Sequence, residues 1–154
     1  MSKQNWPTEE VVGPFEDNLE FLSNYYKAEV YFHGRPFPSS EHAYQACKAF
    51  GEAGLFEQIR QASHPDEAKQ LGRQADLPDD WGTVRDRYML EIVTAKFAQH
   101  PALADRLRAT EGPIVELNWW GDTYWGADLD TGKGKNMLGR ILMGVRDTQR
   151  HVRD

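Results

Sequence analysis

Cysteine is nearly missing from this sequence. Cys47 stands alone, so no disulfide can form within the chain, and a reducing, cytoplasmic setting is the simplest expectation. Long apolar runs are missing too. No stretch approaches the roughly 18 residues that a membrane-spanning helix needs. The start, Met-Ser-Lys-Gln-Asn-Trp-Pro, has no apolar signal region, so no membrane partner is expected. Positive charge is outnumbered, with 18 Lys and Arg against 24 Asp and Glu and a formal net charge of -6. A protein that coats polyanions usually has the opposite sign, although local basic residues can still grip one phosphorylated ligand. Cys and His are too few and too scattered for a zinc set, and no cofactor is expected. Repeats, low-complexity tracts and linkers are absent as well.

What is present is an ordinary globular balance over 154 residues, 40% apolar and 27% charged. That length suits one domain able to bury its own core. Five Trp and six Tyr are generous, and most of them should serve the core and cleft walls. Cys47, flanked by alanines in an expected helix, reads as a small packed residue.

The pattern of elements is mainly helical. Residues 1–13 read as a loose or extended arm. Residues 27–37 alternate around Gly34 and predict a short strand or hairpin. Ser39 and Ser40 can cap a helix over 41–50, and a second helix covers 52–62. Ser63-x-x-Asp66 has the form of a capping box, with Pro65 opening a helix over 65–73. After a polar loop at 74–80, a long helix runs from Trp81 to His100, with Met89, Ile92, Val93 and Phe97 at helical spacing. A short helix over 101–109 and a strand over 113–118 follow. The Gly-, Trp-, Asp- and Lys-rich stretch 119–136 is a structured loop, and the last helix starts near Asn136. The expected fold is α+β, mainly helical, a single domain with a few short strands.

Three segments can carry chemistry. In FLSNYY, residues 21–26, Ser23 and Asn24 are ordinary turn formers. The functional alternative sets Phe21 against a ligand base and Asn24 on a polar edge. In SSEHAYQACKAF, residues 39–50, Glu41, Tyr44, Gln45 and Lys48 share one helical face. Such a face is commonly solvated, with a Glu–Lys pair. The sharper reading sends a carboxylate and an amine into one cleft, with Glu41 in the first turn kept charged by the helix N-terminus. In NWWGDTYWGADLDTGKGKNMLGR, residues 118–140, aromatic walls can stack a flat ring and Asp122 and Asp128 can supply carboxylates. Gly132, Gly134 and the start of the last helix resemble an anion-binding turn, with Lys133 and Lys135 adding charge. The plain alternative is a glycine-rich turn with solvated lysines and a packing Trp cluster.

Taken in order, FLSNYY, PFPSSEHAYQACKAF, KQLGR, Trp81-x-x-x-Arg85-x-x-x-Met89, AKF, VE, GDTYWG and GKGKNMLGRILMGVR resemble the NADAR family, whose bacterial type is YbiA-like. The resemblance runs from Asn18 to Arg146, which sets residues 1–17 apart as an arm, 18–147 as the domain and 148–154 as a tail. It implies an N-glycosidase acting between a phosphorylated ribose and a nitrogen base. Two substrate classes follow from it: ribosylamino-pyrimidine intermediates of riboflavin synthesis, and ADP-ribose attached to guanine, the latter with contact to modified nucleic acid. The family's polar cleft residues fall on Glu41, Lys48, Trp81, Arg85, Asp122, Trp125 and Asn136. The Asp122-Thr-Tyr-Trp125-Gly126 element is intact, and the segment after it is longer and more acidic than usual, with Asp128 and Asp130.

On that basis Glu41 handles protons or charge, and Lys48 is an amine nucleophile or a phosphate contact. Asp122 orients the ribose or activates water. Trp81 and Trp125 wall the base or sugar, and Arg85, Lys133 and Lys135 hold phosphate. The attack is expected between the helix bearing Glu41 and Lys48 and the loop from Asp122 to Asn136. Two rivals remain: a non-catalytic module that binds ADP-ribose or nucleotides, whose aromatic and basic cleft would look the same, and a helical interaction protein with no small-molecule site, against which the dense Trp–Asp–Gly loop counts.

Overall fold

The computed structural model describes residues 5–153. Contacts group the chain into two units, one of Asn24–Pro101 and one of the residues up to Ser23 with those from Ala102 onward. The expected fold class holds: seven helical segments and two small sheets account for the ordered elements among the described residues.

The first unit opens with the hairpin of β1 (Val30–Phe32) and β2 (Arg35–Phe37). They pair antiparallel, with Val30 opposite Phe37 and Phe32 opposite Arg35. Both turn residues, His33 at φ 50 and Gly34 at φ 78, lie in the left-handed region that a two-residue hairpin turn with native twist requires. Alternation buries Val30, Phe32 and Phe37 and leaves Tyr31 exposed. Helix α1 (Ser40–Cys47) follows. Ser39 caps it, accepting from the His42 amide at 3.2 Å, and the His42 ring ties Ser39 Oγ to the Ala62 carbonyl.

Every residue of α1 is buried. The helix packs against α2 (Ala53–Arg60), α3 (Pro65–Gly72) and α4 (Trp81–Gln99). Small residues make this close approach feasible: Ala43, Ala46 and Ala49 are almost wholly inaccessible. Cys47 joins them, donating to the Ala43 carbonyl, and burial pushes its thiol well above the usual range. The long helix α4 packs on β1 and α1, and its inner stripe of Met89, Ile92, Val93 and Phe97 is buried. Its end is tied to the hairpin by Gln99, whose amide brackets both backbone groups of Tyr31.

One cap differs from the sequence expectation. The residue before α3 that caps it is His64, whose Nδ1 accepts from the Asp66 amide at 3.1 Å. Ser63 instead donates to Glu67. The pattern Ser63-x-x-Asp66 is one residue out of phase, because Pro65 takes the first helical position.

The second unit holds a 3-10 helix (Asp17–Leu22), α5 (Pro101–Ala109), the parallel pair β3 (Leu117–Asn118) and β4 (Ala127–Asp128), and α6 (Met137–Arg153). The expected strand over 113–118 is reduced to β3 and a single bridge between Ile114 and Val12. That bridge anchors the extended arm, and Trp6 adds a second tie by donating its amide to the Gly132 carbonyl. Trp6 and Val11 pack on Val115, Leu117 and Ala127. Residues 1–4 of the expected arm and Asp154 lie outside the described residues. At the other end α6 continues through residues 148–153, the stretch set apart above as a tail.

Candidate active site

Glu41, Gln45 and Lys48 lie along one face of α1 at four- and three-residue spacing. The sequence reads this face as polar. In the fold it is enclosed: Glu41 is 8% exposed and Gln45 2%. Gln45 Nε2 donates to Glu41 Oε2 at 2.7 Å, a bond to a charged acceptor in a sheltered place. The Glu41 amide donates to the Asn24 carbonyl at 3.0 Å, and Asn24 Nδ2 reaches Met89 Sδ at 3.4 Å. Asn24 therefore holds the start of α1 by its backbone.

Gln45 owes its position to α3. A Cβ on Gly72 would overlap the Gln45 side chain, so the glycine lets α3 approach α1 at the level of that amide. Gln45 Oε1 is buried with no hydrogen-bond partner, so the amide meets Glu41 through its nitrogen alone.

Lys48 is half-buried at the end of α1, with Nζ 5.5 Å from the centre of the Tyr44 ring. Burial lowers its ammonium pKa, the carboxylate of Glu41 opposes that shift, and the positive charges of Lys69 and Arg73 reinforce it. Arg73 and Glu41 also act on Tyr25, whose phenol is driven well up by burial and by its bond to Asp66. The unit thus gathers a carboxylate, an amine with a raised neutral fraction, and two further cations. Aromatic rings extend the wall: Tyr44 lies 5.7 Å from Trp81, and Trp81 6.2 Å from Tyr88. Trp81 is buried, and Arg85 is half-buried one turn further along α4.

In the second unit the loop between β3 and α6 is held by its own acids. Asp122 Oδ1 accepts from the Tyr124 and Trp125 amides at 3.1 and 2.9 Å. Asn118 brackets the Asp122 backbone from both sides. Asp128 Oδ2 accepts from the Asp130 and Thr131 amides and the Thr131 hydroxyl, and these bonds, the Thr131 amide first, hold its carboxyl below the usual range. Asp130 is exposed at the turn. Trp125 is half-buried, edge-on to Tyr124 at 4.9 Å.

The anion-binding turn expected at the start of α6 requires correction. The amides of Lys135, Asn136, Met137 and Leu138 donate to the carbonyls of Thr123, Gly126, Tyr124 and Trp125. The loop itself caps the helix, so these N–H groups are not offered to an anion. Asn136 is fully buried, its amide nitrogen on the Ile114 carbonyl and its oxygen on the Glu116 amide. Lys133 and Lys135 are exposed, the latter over Tyr124. Phe21 is buried beneath the Arg106 guanidinium, 4.1 Å from its ring centre.

Sequence reasoning left out Gln45 as a partner of Glu41, and Gly72, Lys69 and Arg73 as its surroundings. Their signal was the KQLGR run at 69–73, which brings two cations and a contact glycine to one end of α3. Among the described residues no group of three or more His, Cys, Asp or Glu side chains is placed to hold a metal ion. No helix there is long and apolar enough to cross a membrane.

The NADAR domain profile matches residues 8–150. The chain belongs to the NADAR family. It is 36% identical over 133 residues to the protein named N-glycosidase YbiA of Escherichia coli (strain K12), covering 85% of this chain and 82% of that one. It is 38% identical over 134 residues to riboflavin biosynthesis protein VVA0006 of Vibrio vulnificus (strain YJ016), covering 86% of this chain but only 36% of that longer one. The NMR structure of Escherichia coli YbiA superposes with a TM-score of 0.79 at 32% identity, over 96% of this chain and 84% of the other. The NADAR fold thus spans both units, and the Glu41–Gln45–Lys48 face belongs to a chain with N-glycosidase relatives.

Proposed function

We propose that this NADAR chain is an N-glycosidase that hydrolyses the bond between a phosphorylated ribose and a nitrogen base. The observation that carries the reading is the single face of α1 that holds the Glu41 carboxylate, fixed by Gln45, and the Lys48 amine. The relatives named for N-glycosidase activity and for riboflavin biosynthesis support it.

The chemistry follows from the charge. Breaking the ribose C1–N bond builds positive charge on the sugar, which a nearby carboxylate stabilises. Glu41 takes that role and handles the proton of the attacking water. The water hydroxyl ends on C1 and its other hydrogen on the leaving nitrogen. Lys48 opens a second route. A neutral amine displaces the base from C1 of the ring-opened sugar as an imine. Water then hydrolyses the imine and returns the amine, with the same overall balance.

Trp81 and Arg85 are proposed contacts to sugar, base and phosphate in the first unit. Asp122, Trp125, Asp128, Lys133 and Lys135 are proposed contacts in the second. Phe21, Asn24 and Asn136 serve by holding the elements around them. The proposed substrates are a ribosylamino-pyrimidine phosphate of the riboflavin type and, as a second class, ADP-ribose on guanine, free or in nucleic acid. The buried lone thiol fits a reducing, cytoplasmic setting.

Incubation with each substrate class, followed by mass spectrometry of freed base and sugar phosphate, tests the reading. Release from one class selects it, whereas binding without release leaves only a nucleotide-binding module. Borohydride added during turnover separates the two routes. A stable adduct on Lys48 marks the imine, and its absence with full activity in Lys48→Ala ends the amine route.

A further inference from the structure

An open groove of about 370 Å³ lies in the first unit, lined by His33, Arg35, Phe50, Ala53, Phe56 and Glu57. None of these residues belongs to the site described above. One wall is aromatic. The His33 ring stacks on Phe50 at 5.5 Å between centres, and Phe50 on Phe56 at 5.9 Å, each pair tilted by 27°. Phe50 is 44% exposed, so part of an aromatic side chain is open to solvent. The other wall is charged. Arg35 pairs with Glu57 at 2.5 Å, and the same carboxylate accepts from Arg60 and Gln61. Those bonds, Arg60 first, hold the Glu57 carboxyl below the usual range. Glu57 is saturated by its partners, whereas Arg35, half-exposed with one ion pair, keeps spare N–H donors.

The groove is built by the fold. His33 lies at φ 50 in the hairpin turn, a position that Asn or Gly would occupy with less strain. Its ring also packs on Phe32 at 4.2 Å. The groove connects to the candidate site through ring contacts: Phe50 lies 5.5 Å from Tyr88, Tyr88 6.2 Å from Trp81, Trp81 5.7 Å from Tyr44, and Tyr44 carries the Lys48 amine.

We infer that this groove is a stacking subsite for a planar nitrogen heterocycle bearing carbonyl oxygens, of the oxo-purine or oxo-pyrimidine kind. The exposed part of Phe50, with the His33 and Phe56 rings beside it, takes the ring face, and Arg35 donates to the carbonyl edge. A site with free donors and a saturated carboxylate selects a ring rich in acceptors. The inference deepens the N-riboside reading above by giving the base, or the nucleotide that bears it, a place of recognition on this chain.

The test is an NMR titration of the full chain with uridine 5′-monophosphate, guanosine 5′-monophosphate and ribose 5-phosphate, in wild type and Phe50→Ala. Phe50 is exposed enough for the alanine variant to keep its fold, which its amide spectrum checks. Both nucleotides should shift the ring signals of Phe50, Phe56 and His33 saturably. The sugar phosphate alone should not, and Phe50→Ala should weaken the nucleotides at least about fivefold. Phe50→Tyr should restore binding. The absence of these shifts, equal shifts with ribose 5-phosphate, or unchanged affinity in Phe50→Ala would overturn the subsite. Hydrolysis is read separately. If no N-riboside is cleaved but the nucleotides still bind at Phe50, the function fails and the groove stands. If base is released while Phe50→Ala alters neither the shifts nor KM, the groove alone fails.

Discussion

Gly72 lies against Gln45 so closely that no side chain fits between them, since a Cβ on Gly72 would overlap Gln45 Oε1. Gln45 in turn donates to Glu41 Oε2. A glycine on α3 thereby helps set the direction of a carboxylate on α1. Replacing Gly72 by alanine should displace the amide. Overpacking of this kind costs about 1–3 kcal/mol, so Gly72→Ala should lower the midpoint of urea unfolding and also reduce turnover. Unchanged stability and unchanged turnover would show that the contact has slack.

The amide itself can be removed without overpacking. Gln45→Ala takes away a hydrogen bond to a charged group, which typically contributes about 1.5–3 kcal/mol. The expected outcome is a lower kcat with KM little changed, because the carboxylate still exists but has lost one of the bonds that orient it. A rise in KM alone would assign Gln45 to substrate binding instead.

Lys48 has an ammonium pKa lowered chiefly by burial, with Lys69 and Arg73 adding to the shift. A route that needs the neutral amine should therefore speed up with rising pH and level off below the ordinary lysine range. Removing both cations in Lys69→Met/Arg73→Met relieves repulsion of the charged form, raises the Lys48 pKa and moves the rising limb of kcat/KM to higher pH. A pH–rate profile of the two proteins checks this, and a limb that stays in place would rule the amine out of the rate.

Lys96 makes a separate pH prediction. It is buried in α4, and burial pulls its pKa down to about 7 from 10.5. Between those values the unfolded chain binds more protons than the folded one. Unfolding free energy contributed by this group should therefore rise from pH 7 toward pH 10.5. Urea unfolding at several pH values should show that rise in wild type, and Lys96→Met should flatten it. An identical pH dependence in the variant would place the titration elsewhere.

The helices were legible because their signals are local and repeated. Met89, Ile92, Val93 and Phe97 trace the inner stripe of α4, and Gly34 marks the turn of the hairpin. Strand β4 was not legible. Two residues, Ala127 and Asp128, carry no period, and their pairing with Leu117 and Asn118 depends on the course of the loop between them. The candidate site was half legible. The spacing of Glu41, Gln45 and Lys48 gives a shared face, but only packing reveals that α3 covers it at Gly72. The bonding of the loop acids was hidden for a related reason. Asp122 and Asp128 look like ligands in sequence, while much of their hydrogen-bonding capacity goes to amides of their own turns.

The central claim rests on Glu41, and base release tests it most directly. Wild type and Glu41→Gln, both shown folded by circular dichroism, are incubated with a phosphorylated ribosylamino-pyrimidine and with ADP-ribosylated guanine, and freed base is quantified by mass spectrometry. Release by wild type from at least one of them, slowed about 100-fold or more in Glu41→Gln, is the predicted result. No release by wild type, or equal release by the variant, would contradict it.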